Sequence, residues 1–218
     1  GLALDFEEAE QELSIDVDVS FKGAGALLPS WRERQGPSPE EISALLDQLE
    51  SPDAISSQAA ADRLVGLGMP ALEALMSDFP GTLRYEWRNM RPGHWPPVRE
   101  HSNLLACLVR FGHDAARSII PLLVDPDLDV RFFATYILSA LPFPEVLEPL
   151  ADRLYDEDYR VRTVATQVLH RFQRFAEYKE IIIHLQADLE AMDEERQVLA
   201  CEVLAGIRDG SSIPHLIV

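Results

Sequence analysis

Cysteine is scarce: the chain of 218 residues holds two, Cys107 and Cys201, far apart in sequence. Two distant thiols make no disulfide framework and suit a reducing compartment, so the chain reads as cytoplasmic. Basic residues are also few, 19 Lys and Arg against 37 Asp and Glu, for a net charge of −18. A field of that sign repels DNA, RNA and anionic lipid unless a local basic patch intervenes, which disfavours nucleic acid and membranes as partners. No run of 18 apolar residues is present to span a bilayer, and acidic residues stand where a secretory signal would carry lysines. Neither Cys-x-x-Cys nor His-Glu-x-x-His occurs. The chain starts with Gly1 instead of Met and stops on Leu216, Ile217 and Val218, which reads as a piece of a longer protein.

What is present is enough apolar side chain for a sizeable core, at 47% hydrophobic and 26% charged. Residues 1–38 differ from the rest. The first 18 residues hold seven acids and no base, yet Leu13, Ile15, Val17, Val19 and Phe21 alternate with Ser14, Asp16, Asp18 and Ser20. That is the period of a strand with one apolar face, and an isolated strand needs a partner. It can form a hairpin with Leu2–Phe6, add to the sheet edge of a partner, or remain a disordered acidic leader. Pro29, Gly36, Pro37 and Pro39 then read as linker.

From Ser38 the spacing turns helical. Ser38 caps, Pro39 takes the first position, and Glu40 and Glu41 suit the positive end of the helix dipole. Ile42, Leu45, Leu46 and Leu49 follow on one face, and a second helix is expected from Asp53 to Leu67, stopped by Gly66, Gly68 and Pro70.

Self-similarity decides the fold class. Asp125-Pro126-Asp127-Leu128-Asp129-Val130-Arg131 stands beside Asp156-Glu157-Asp158-Tyr159-Arg160-Val161-Arg162 at an offset of 31, and Ala134, Leu138 and Leu141 map to Ala165, Leu169 and Phe172. A leucine-rich helix precedes each copy, so each repeat is a helix pair. One pair cannot bury its own apolar stripe, and pairs therefore stack. Looser copies lie at 39–68, 70–112 and 177–210, which makes about five pairs, and a sixth begins at Ser211–His215.

The motif Asp-x-x-Val-Arg, with a small Ala one turn later, resembles the HEAT-repeat family, in particular its short phycobilisome-lyase-type variety. The resemblance implies an all-α, armadillo-type superhelix over residues 39–218, with a short extended or hairpin segment before it. It also implies that the second helix of each pair lines a concave binding side. There Phe132, Tyr136, Thr163, Gln167, His170 and Arg171 would face a partner, with Arg110 one repeat earlier; ordinary packing between repeats is the competing role. HEAT-repeat hydroxylases that bind two irons do so through His-Glu pairs, and no histidine here is followed by Glu. Helical-repeat DNA glycosylases carry a basic groove, unlike this acidic chain. No catalytic, metal or cofactor residue is assigned.

The repeats leave one segment unexplained, an insertion at 80–101. It carries Arg84, Tyr85, Trp87, Arg88, Arg91, His94, Trp95 and Arg99 against Glu86 and Glu100, a net +2, and two of the three tryptophans. Long loops in compact domains are usually functional or disordered, and Trp, Tyr and Arg dominate binding hot spots. Two roles stay open. If the insertion binds, substituting Trp87 and Arg88 abolishes capture of a partner and leaves the unfolding midpoint in place. If it packs over neighbouring repeats, both fall together. The Asp125/Asp127/Arg131 and Asp156/Asp158/Arg162 sets read as caps and ion pairs, and both cysteines as small buried hydrophobes.

The sequence therefore predicts a non-enzymatic scaffold or adaptor that holds a protein partner. A ligand- or chromophore-binding, lyase-like enzyme using the concave groove is the alternative, and nucleic-acid binding through the insertion is a weaker third.

Overall fold

A computed structural model describes residues 36–190 and 193–207. The strand-like pattern at 13–21 and the sixth pair at 211–215 lie outside these residues. Among the described residues every regular element is helical. The first pair is α1 (Pro39–Leu49) and α2 (Ala54–Leu67). The second is α3 (Met69–Ser77) and α5 (Asn103–Arg110), separated by the insertion, whose last turn is α4 (Val98–His101). Then follow α6 (His113–Ile119) with α7 (Leu128–Ile137), α8 (Leu147–Asp152) with α9 (Tyr159–His170), and α10 (Ala176–Asp188) with α11 (Glu194–Ile207). Five pairs stack as an α-solenoid: α7 packs on α9, α9 on α11, and α8 on α10.

The sequence signals act locally as physics requires. Ser38 Oγ accepts the Glu41 amide at 3.1 Å, and Asp53 accepts that of Ser56 at 3.0 Å, satisfying N–H groups that have no intrahelical partner. Gly68 ends α2 with φ +70° and opens α3 without a loop residue between them, a backbone state that a side chain would strain. Pro121 lacks the N–H needed to extend α6, and Ile120–Val124 continues as a 3₁₀ turn.

The 31-residue offset reappears as a hydrogen-bond pattern. Arg131 Nη1 donates to the carbonyls of Asp125 and Pro126 at 2.9 and 3.0 Å, and Arg162 Nη1 donates to those of Asp156 and Glu157 at 2.8 and 3.2 Å. Asp125 accepts the Asp127 amide, and Asp156 accepts that of Asp158. Asp127 and Asp158 then cap α7 and α9. The arginine of the motif thus ties down the interhelix turn in each repeat, so the carboxylates are structural. Arg131 also reaches the next repeat, with Nε 3.1 Å from Asp156 and Nη2 2.7 Å from Glu157.

The core runs through the stack, from Leu64, Leu72 and Leu75 through Leu105, Leu108, Ile119, Phe132 and Phe133 to Leu169 and Phe172. Ala134 and Ala165 are fully buried. Cys107 is buried as well, and loss of hydration pushes its thiol up to about 11. Cys201 departs from expectation and is exposed. The buried stripe of α11 is Ala200, Val203, Leu204 and Ile207, and a residue one step past Ala200 points away from it. Among the described residues no helix is long and apolar enough to cross a membrane.

Candidate functional site

The insertion is ordered, and its anchors come from the second helices of later repeats. Its ends are held together where the Arg84 amide donates to the His101 carbonyl at 2.8 Å. The Arg84 guanidinium bonds Asn103 and the Glu100 carbonyl. A 3₁₀ turn at Trp87–Asn89 drops the Trp87 ring onto Phe132, with centroids 3.7 Å apart and planes at 17°. Trp87 also meets Phe133 edge-on, and the Arg160 guanidinium lies 5.4 Å from its ring. Its indole Nε1 donates to Asp129 Oδ1 at 2.9 Å, and Arg88 pairs with the same carboxylate at 3.0 Å. Trp95 packs edge-on against Phe132, and its Nε1 donates to the Trp87 carbonyl.

Two side chains of the repeats hold the insertion by its backbone. Tyr136 donates its hydroxyl to the Pro96 carbonyl at 2.7 Å, and Gln167 Nε2 donates to the Gly93 carbonyl at 3.1 Å. Gly93 has φ +81°, and a Cβ there would stand 2.8 Å from Gln167 Nε2, so the close approach depends on glycine. His101, fully buried in α4, sits between Tyr85, Phe133 and Tyr136 at centroid distances of 5.6, 5.2 and 5.7 Å. Its Nε2 faces the Pro96 carbonyl at 3.1 Å and must carry the proton, leaving Nδ1 without a partner. Burial, first among the causes, pushes its pKa down and keeps the ring neutral.

These positions correct part of the expected binding surface. Phe132 does not face a partner: it is completely buried beneath the two tryptophans. Trp87 and Trp95, 2% and 8% exposed, are core residues too, because stacking the rings on α7 removes more apolar area from water than presenting them would. Tyr136 is half-buried and Gln167 exposed, and both serve the insertion. Arg110 lies 2.5 Å from Asp62, His170 shares a hydrogen bond with Gln173, and Thr163 bonds the Tyr159 carbonyl. Arg84, Tyr85, Arg88, Arg91 and His94 are exposed, as is Arg171. Of these, the Arg91 and Arg171 side chains have no hydrogen-bond or ion-pair partner among the described residues, and the exposed Arg99 side chain has none either.

Sequence reasoning missed Asp129, Pro96 and Ser139. Asp129 looked like a first-turn acid of the motif, and only the fold reveals that it serves the insertion. Ser139 continues the face of Phe132 and Tyr136 at helical spacing, a signal that was available. It lines a cleft of about 510 Å³ with Gly93, Trp95, Tyr136, Gln167, His170, Arg171 and Gly206. Among the described residues no group of three or more His, Cys, Asp or Glu is placed to hold a metal ion.

The geometry defines a class: a stacked helix-pair repeat protein with an ordered insertion seated on its second-helix side. Residues 96–170 match the family model described as HEAT repeats. No curated protein matches it in sequence. Similar solved structures include an engineered protein at 20% identity, covering 81% of this chain and 86% of that one with a TM-score of 0.40. A designed armadillo repeat protein in complex with the peptide (KR)4 is 17% identical over 81% of this chain and 90% of its own, TM-score 0.38. The complex of CpcE and CpcF of phycocyanin lyase from Nostoc sp. PCC7120 is 17% identical over 87% and 85%, TM-score 0.26. At such scores the HEAT-like reading rests on the helix pairing and on the match over residues 96–170.

Proposed function

We propose that this chain is a non-enzymatic interaction scaffold or adaptor of the cytoplasm, which holds a protein partner through the 80–101 insertion and the second-helix side next to it. The observation that carries this reading is the division of labour within the insertion. Its tryptophans are buried as anchors, while the Arg91 and Arg99 side chains stand exposed with no ion pair among the described residues. A segment already fixed by its own core loses little further conformational freedom on binding, and exposed arginine and tyrosine are the residue types that supply binding energy. Tyr85, at 38% exposure, stands ready beside them. The charge of −18 weighs against nucleic acid and anionic membranes as the partner, and the unpaired cysteines suit the cytoplasm.

The test is capture from a lysate of the native host by the immobilised full chain, compared with an Arg91→Glu/Arg99→Glu variant. The variant is expected to lose the captured protein while its unfolding midpoint stays in place, as exposed substitutions generally shift stability by no more than about 0.5 kcal/mol. Equal capture by both chains would remove the insertion from the binding surface.

A further inference from the structure

The acids of this chain are unevenly placed among its clefts. A cleft of about 710 Å³ between α8 and α10 is lined by Glu145, Glu148, Asp152, Glu177 and Glu180. Among the described residues, the cleft among α7, α9, α11 and the insertion has no carboxylate in its lining, and Glu202 belongs to the adjoining pocket, although acids make up 37 of the 218 residues. Its polar lining includes groups able to donate. The Arg171 guanidinium is exposed and has no partner among the described residues. His170 engages Gln173 through Nδ1, leaving Nε2 unused, and the Ser139 hydroxyl has no hydrogen-bond partner among the described residues. Trp95 and Ile207 border the cleft from the core.

We propose that this cleft binds an acidic peptide segment of the partner, with an Asp or Glu carboxylate taken by Arg171. The inference rests on the scaffold reading above and gives it a site and a partner chemistry. A free guanidinium fork is shaped for bidentate pairing with a carboxylate. The overall negative charge does not prevent this, since at physiological salt exposed charges beyond roughly 8 Å are largely screened and the local lining decides. A volume in the range of small ligand sites, about 300–1,000 Å³, suits a few residues of peptide better than a folded surface.

The full chain is titrated into a fluorescein-labelled octapeptide of alternating Glu and Leu, followed by anisotropy, with a Lys-Leu octapeptide as the control. Expected are saturable binding of the acidic peptide alone, a loss of tenfold or more in Arg171→Glu, a smaller loss in Arg171→Lys, and no change in Arg117→Glu, which makes the same charge change on exposed α6. Absence of binding, equal binding of the basic peptide, or indifference to Arg171→Glu each overturns the proposal. Lysate capture separates the two levels: a partner still held by Arg171→Glu preserves the scaffold and removes the cleft, whereas no captured protein with the unaltered chain removes the scaffold.

Discussion

Trp87 lies face to face on Phe132, two residues 45 positions apart whose ring centroids are 3.7 Å from each other. One ring comes from the insertion and the other from the second helix of the third repeat, so the insertion is part of the core of the solenoid. Trp87→Ala should therefore cost about 3–5 kcal/mol, as removal of a buried aromatic does. At roughly 2–4 °C per kcal/mol for a chain of this size, the unfolding midpoint should fall by on the order of 10 °C. A melt followed by circular dichroism measures it; an unmoved midpoint would return Trp87 to the binding surface.

The same contact explains what could be read from sequence and what could not. Helix pairing, the Ser38 and Asp53 caps and the 31-residue repeat are local or periodic, and composition and spacing disclose them. Their outcome in space matched: Arg131 and Arg162 make equivalent bonds to equivalent turns. The seating of the insertion is a long-range matter. Trp87 finds Phe132 and Asp129, and Gly93 finds Gln167, 74 positions away. No spacing rule encodes which ring of a long loop turns inward. Residue type alone left Trp87, Trp95 and Phe132 between binding and packing, because aromatic rings serve cores and interfaces equally well. Cys201 failed for a smaller reason, a stripe on α11 placed one residue out of phase.

Arg131 and Asp156 form the ion pair between the third and fourth repeats, with side chains 8% and 2% exposed. Arg153 shares Asp156 at 3.1 Å. Asp156→Ala takes the shared buried carboxylate from both guanidinium groups and should cost about 3 kcal/mol, since Arg131 keeps Glu157 and the two turn carbonyls. The exposed pair Arg63–Glu41 at 2.9 Å offers the contrast, since breaking it should cost less than about 1 kcal/mol. Denaturant titrations of Asp156→Ala and Glu41→Ala make the comparison, and losses of equal size would refute the structural role of the buried pair.

His101 should make the chain acid-sensitive. In the folded state its pKa is pushed below the ordinary 6.5, chiefly by burial, with Glu100 opposing. A lowered folded-state pKa for histidine means that the unfolded chain takes up the proton first, so stability is fully present above about 6.5 and declines as pH falls below it. His101→Phe retains an aromatic ring and removes the titration. The difference in midpoint between the unaltered chain and this variant should shrink or reverse between pH 7.5 and pH 5.5, and a difference independent of pH would exclude His101 as the source.

The two thiols should separate by reactivity. Cys107 is buried with its pKa raised to about 11, whereas Cys201 is exposed. The thiolate is the reactive form, so both burial and the scarcity of thiolate protect Cys107. A chromogenic disulfide reagent at neutral pH should titrate one thiol per native chain at once, and the second only with unfolding. Two fast thiols would contradict the packing of α5.

Asp129 tests how firmly the insertion is tethered, because one carboxylate oxygen accepts from both the Trp87 indole and the Arg88 guanidinium. Asp129→Ala leaves the buried indole N–H unsatisfied, a cost of about 1–3 kcal/mol. Asp129→Asn retains an acceptor for the indole and loses only the charge pairing with Arg88. That pair is part-exposed, with side chains 49% and 35% accessible, and is worth about 1 kcal/mol or less. The Asn variant should therefore unfold close to the unaltered chain, and the Ala variant several degrees earlier. Intrinsic fluorescence should follow the same order, since only the Ala variant frees the Trp87 ring toward water and shifts its emission to the red. If the two variants behaved alike, the tether would be the ion pair at the surface and not the hydrogen bond beneath it, and the insertion would be held by charge alone.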